Sequence, residues 1–167
     1  MSEILLYLEM PAYLRDWLVW SHGGVSPIRP RRGSIESNIL EQYLRPWPSD
    51  RIPDRPTEGC LTIALPYFKT KDPRSNSFLP ESARKLFLHS VRIQFDNDLT
   101  KSLLGTAMTR ETLSDAIAAF CEARAIEMTD TSIEAVTKRW RRLRRRTGVL
   151  ERVRRHRLTL KKHYKKR

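Results

Sequence analysis

The sequence predicts an α+β protein: a small N-terminal βα module with short strands, a helical C-terminal domain and a polybasic tail. Three observations carry this expectation. Cys60–Leu65 (CLTIAL) is a short apolar run with β-branched residues, bounded by Gly59 and Pro66, as a buried strand would be. After Pro80 the apolar residues recur at steps of three and four, the period of helices packed on one face. The cations are crowded at one end. Residues 138–167 hold 16 Lys and Arg with a single acid, Glu151, so this stretch carries +15 and the remaining 137 residues −2 of the total +13.

Each element follows from local signals. Ile4–Leu8 is apolar and β-compatible, and Pro11 opens a helix at its first turn. Tyr13, Leu14, Trp17, Leu18 and Ser21 then recur at helical spacing until Gly23-Gly24 stops them. Val25–Pro30 carries two prolines and fits an edge strand at best. Ser34 caps a helix through Leu44, with Ile35, Ile39, Leu40 and Tyr43 on one face. Four prolines mark residues 45–59 as a loop. Beyond the strand, Lys69–Ser77 is a polar loop.

Three helices are expected in the rest. Phe87, Val91, Phe95, Leu99 and Leu103 form a stripe at i+4 steps that Gly105 closes. A second helix is expected over 111–125 on Leu113, Ala116, Ile117, Phe120 and Cys121, followed by a turn at 126–130. Thr131 and Glu134 fit a capping box, so the third helix is expected over 131–146, packed through Ile133, Val136, Trp140 and Leu143. The expected domains are therefore residues 1–79, 80–147 and 148–167.

Other classes are set aside on composition. Cys60 and Cys121 have no metal-type spacing, and His22, His89, His156 and His163 share none with carboxylates, so no metal site and no cofactor is expected. Two distant cysteines fit a reducing cytosol, with nucleoid association if the chain binds DNA. No signal peptide or bilayer-length apolar segment occurs, and the tail's apolar face is too thin for a membrane surface. A nucleotide-binding glycine loop, a nucleophile elbow and a zinc-protease helix are all missing, and no carboxylate-lysine nuclease pattern lies in the CLTIAL strand. No enzyme is expected.

The chemistry concentrates in the third helix. Lys138, Arg139, Arg141, Arg142, Arg144, Arg145 and Arg146 are seven cations in nine residues. Like charges one turn apart repel, and a polyanion relieves that repulsion while releasing counterions. An amphipathic helix, a turn and a capped Arg-rich helix, resting on Leu113, Ile117, Phe120 and Ile126, on Thr131–Glu134 and on Trp140, resemble the helix-turn-helix group of tri-helical DNA-binding domains. The resemblance covers residues 111–146 and implies that the second helix of the pair lies in the major groove. On that helix Thr131, Ser132, Glu134, Ala135 and Lys138 are the candidate base readers. Arg139, Arg141, Arg142, Arg144, Arg145 and Arg146 are candidate phosphate contacts.

The tail adds Arg152, Arg154, Arg155 and Arg157, and ends in Lys161–Arg167. Weaker candidates are Arg29, Arg31 and Arg32, Arg74, and a stacking platform at Tyr13, Trp17 and Trp20, which fits a core better. The expected function is DNA binding, in transcription regulation or as an accessory factor of a mobile element, with duplex DNA as partner and room for a homodimer. The alternatives are an RNA-binding protein using the same region, and a protein-interaction module that docks an acidic partner.

Overall fold

β1 (Leu5–Leu8) and β2 (Leu61–Ala64) pair antiparallel with Leu6 opposite Ile63 and Leu8 opposite Leu61. In this computed structural model, which describes residues 3–106 and 112–146, these are the two strands of an α+β fold with five helices. Alternation decides their faces. Leu6 and Leu8 are buried while Leu5 is exposed, and Leu61 and Ile63 are fully buried. On the other edge of β2, the Ile28 amide donates to Thr62 O (3.0 Å) and the Ala64 amide donates to Ile28 O (2.9 Å). The proline-flanked stretch thus reaches the sheet as a single parallel bridge at Ile28, and β2 is central.

The described residues fall into two compact units that divide between Ile93 and Gln94. Composition places a boundary at 79/80 instead. The difference arises because α3 (Glu81–Thr106) gives its first half to one unit and its second half to the other. In the first unit α1 (Ala12–Ser21) buries Leu14, Trp17 and Leu18, and α2 (Ile35–Tyr43) buries Ile39 and Leu40. Leu79, Ala83, Phe87 and Val91 complete that core. Trp17 is therefore core while Trp20 is 39% exposed, which splits the suggested stacking platform.

Helix ends follow the expected chemistry in the first unit. The Ser34 side chain accepts from the Ser37 amide at 3.1 Å, capping α2. The Gly24 amide donates to Val19 O and the Gly23 amide to Trp20 O, closing α1 with both glycines at positive φ.

The second unit contains the last half of α3, α4 (Leu113–Ala123) and α5 (Asp130–Arg146). Phe95, Leu99, Leu103, Ile117, Phe120, Cys121, Ile126, Val136 and Trp140 are buried in it. The Phe95 and Phe120 rings meet edge to face with centroids 5.8 Å apart. Thr112 caps α4, accepting from the Asp115 amide at 3.2 Å.

α4 ends two residues before the expected Ala125, and the turn occupies Arg124–Thr129 rather than 126–130. The Ile126 amide donates to Cys121 O (2.9 Å) and the Ala125 amide to Glu122 O (3.1 Å), the paired bonds that close a helix through a left-handed residue. That residue is Ala125 at φ 51, where a glycine is the usual signal, so the helix end is silent in sequence. A Cβ in this region costs about 1–2 kcal/mol, which a glycine's larger chain entropy offsets in part. Ala125→Gly is therefore expected to stabilise the fold by about 0.5–1 kcal/mol, read as a higher urea midpoint. A lower midpoint would contradict the strained-turn assignment.

Candidate nucleic-acid interface

α5 begins one residue earlier than expected, and its cap differs. Thr129 accepts from the Ser132 amide at 3.2 Å, and its hydroxyl also bonds the Ser132 hydroxyl at 3.0 Å. The expected cap at Thr131 is thus replaced by Thr129, two residues upstream, and Thr131 lies exposed in the first turn. Glu134 does not return to the helix start. Its carboxylate meets Lys138 at 2.7 Å, one turn on, with both side chains more than half exposed. Lys138 holds the Glu134 carboxyl below the usual carboxylate range, through the hydrogen bond first and then its charge.

A helix advancing 100° per residue separates two opposite faces of α5. The inward face carries Ser132, Val136, Trp140 and Leu143, all buried. The outward face carries Thr131, Glu134, Lys138, Arg141, Arg142 and Arg145, all exposed. Ser132, a sequence candidate for base reading, belongs to the inward group at 3% exposure and spends its hydroxyl on Thr129. Ala135 and Arg144 are half-buried at the margins.

Arg139 is committed elsewhere. Its Nε donates to Asp96 Oδ1 at 2.6 Å and its Nη2 to Asp96 Oδ2, a bidentate pair from α5 to the second half of α3. One of the seven cations is thereby withdrawn from the outward surface and made structural. Arg141, Arg142 and Arg145 have no ion-pair partner among the described residues. Arg146 ends α5, while Arg152, Arg154, Arg155 and Arg157 lie outside the described residues.

A second clamp, silent in the sequence reading, fixes α4. Arg124 donates through Nε to Asp98 Oδ2 (2.7 Å), and through Nη2 to Asp98 Oδ1 (2.8 Å) and Ser102 Oγ (2.7 Å). Its guanidinium also covers the Phe120 ring at 4.3 Å from the centroid. Asp96 and Asp98 sit beside the Phe95–Leu99 stripe, two polar residues next to an apolar seam, which was the available signal. Cys121 lies beneath, and burial pushes its thiol up against a smaller opposite pull from Arg124. That is the environment of an inert packing cysteine.

Other candidates form no comparable surface. Arg29 pairs with Glu3 at 2.7 Å, while Arg31 and Arg32 are exposed in the turn before α2. The Arg74 amide is held by Asp72 in a turn. A cleft of about 390 Å³ in the first unit is lined by Glu9, Asp54 and Glu81 and by Arg55, Arg84 and Lys85. Its charges balance, and Arg84 is occupied by Leu79 O, Tyr7 O and Asp54. No cluster of three or more metal-binding side chains, and no helix long and apolar enough to cross a membrane, occurs among the described residues. No family model, curated protein or solved structure matches the chain.

Asp96→Ala removes the carboxylate that anchors Arg139 and costs a half-buried guanidinium its bidentate partner. A loss of about 1–3 kcal/mol is expected, measured by urea unfolding. An unchanged midpoint would show that the pair does not hold α5.

Proposed function

We propose that the chain binds duplex DNA, with Arg141, Arg142 and Arg145 on the outward face of α5 contacting phosphates. One observation carries the reading: these three arginines are exposed opposite the Val136–Trp140–Leu143 stripe, with no acid among the described residues pairing them. Packing therefore costs them nothing, and their mutual repulsion leaves α5 poised for an anion. Arginine suits this role because its planar fork meets two phosphate oxygens at once and it stays charged at any physiological pH. The sequence beyond α5 adds nine more Lys and Arg in residues 147–167, which extend the same positive field.

The second half of α3 with α4 and α5 supports a tri-helical, helix-turn-helix-like arrangement, with α5 as the DNA-facing helix. A role in transcription regulation or on a mobile element belongs to this reading, and a homodimer is compatible with it. Lys138 and Arg144 flank the contact surface. Ser132 and Arg139, which are engaged inside the unit, are left out of it.

The test is a gel-shift titration of the full chain against duplex DNA, structured RNA and heparin competitor at several salt concentrations. Each released phosphate contact contributes about 0.9 to the slope of log affinity against log salt. The triple variant Arg141→Ala, Arg142→Ala, Arg145→Ala is expected to bind duplex more weakly, with a slope shallower by about 2–3. Wild-type protein that shifts no duplex at low salt, or a variant whose slope matches wild type, overturns the proposal. Tighter binding of structured RNA than of duplex would move the reading to RNA.

A further inference from the structure

We infer that α5 meets the duplex with its C-terminal half and keeps its N-terminal half off the phosphates, so that the chain binds duplex DNA irrespective of base sequence. The inference rests on the reading above and specifies which DNA the surface takes. The outward face of α5 is divided by charge along its length. The turn before it and its first half present Glu127, Asp130 and Glu134, all exposed, with Thr129 and Thr131 the exposed neutral polar side chains among them. The second half presents Arg141, Arg142 and Arg145. Lys138 stands at the boundary and is neutralised by Glu134 at 2.7 Å.

Distance keeps the two halves independent. Asp130 and Arg141, its nearest outward arginine, are eleven residues apart, roughly 16 Å along a helix rising 1.5 Å per residue. That is about twice the screening length of physiological salt, roughly 8 Å. The arginines therefore do not mask Asp130 from a phosphate beside the first turn. Laying α5 lengthwise in the major groove would bring Asp130 against the strands, where like charges repel. Tilting the helix so that its C-terminal half approaches avoids this.

Of the first-half side chains that could read bases, Thr131 is exposed and the others are committed. Ser132 is buried and bonded to Thr129. Ala135 is half-buried and has no polar atom to offer. Glu134 and Lys138 satisfy one another, and using them on a base edge would first break their pair. Were it broken, the carboxylate would accept from the cytosine amino group and the ammonium would donate to guanine. The alternative therefore has its own signature, adjacent G·C pairs.

The experiment is selection of a random-sequence duplex pool by the full chain, followed by affinities for several unrelated duplexes. No enriched motif and affinities within about threefold of one another are expected. Asp130→Asn is expected to change duplex affinity less than twofold, because that residue stands away from the phosphates. A motif rich in G·C that disappears in Glu134→Gln overturns the inference and leaves duplex binding intact. A severalfold tightening by Asp130→Asn on all sequences overturns it equally, since the first turn then lies against DNA. Absence of any duplex binding removes this inference together with the reading it rests on.

Discussion

Seven cations in nine residues of one helix must be held against the rest of their unit by very little. In α5 the task falls to Val136, Trp140 and Leu143, and to the bidentate pair between Arg139 and Asp96. Burying Trp140 removes the largest apolar surface available to the basic half of the helix. The ion pair then sits one turn from Val136 and Leu143 and turns a repelling charge into a tether. Everything outward depends on that division. With the inward face and the tether fixed, Arg141, Arg142 and Arg145 have no direction left except solvent.

The same economy recurs one helix earlier. Arg124 binds Asp98 and Ser102 and covers Phe120, so α4 is fastened to the second half of α3 at the end where its turn begins. Asp96 and Asp98, two residues apart on α3, thus each hold one of the other helices of the unit. The two acids are not surface solvation. They are the anionic half of a clamp whose cations arrive from 26 and 43 residues downstream.

Much of this was legible because it is local. The apolar run CLTIAL, the Ser34 cap, the glycines closing α1 and the i+4 stripe of α3 all act within a few residues, and each reappears in the fold. What was hidden acts over distance or by an unusual residue. Ala125 takes a left-handed turn without the glycine that normally announces it, so α4 stops early. Thr129 carries the same hydroxyl as Thr131 and takes the cap, accepting from the amide of the buried Ser132. Ser132 is a candidate base reader by its place in the first turn, but it shares the wheel face of Val136, Trp140 and Leu143 and is buried with them. Arg139 could not be told from its neighbours without knowing that Asp96 faces it.

The proposed duplex contact divides the arginines of α5 into a structural one, Arg139, and an exposed set, Arg141, Arg142 and Arg145. Chemical modification of arginine by a dicarbonyl reagent, mapped by mass spectrometry with and without duplex DNA, measures that division directly. Arg141, Arg142 and Arg145 are expected to react in free protein and to be protected by duplex, while Arg139 and Arg124 resist modification in both states because Asp96 and Asp98 hold them. Equal reactivity of Arg141, Arg142 and Arg145 with and without duplex would contradict the account.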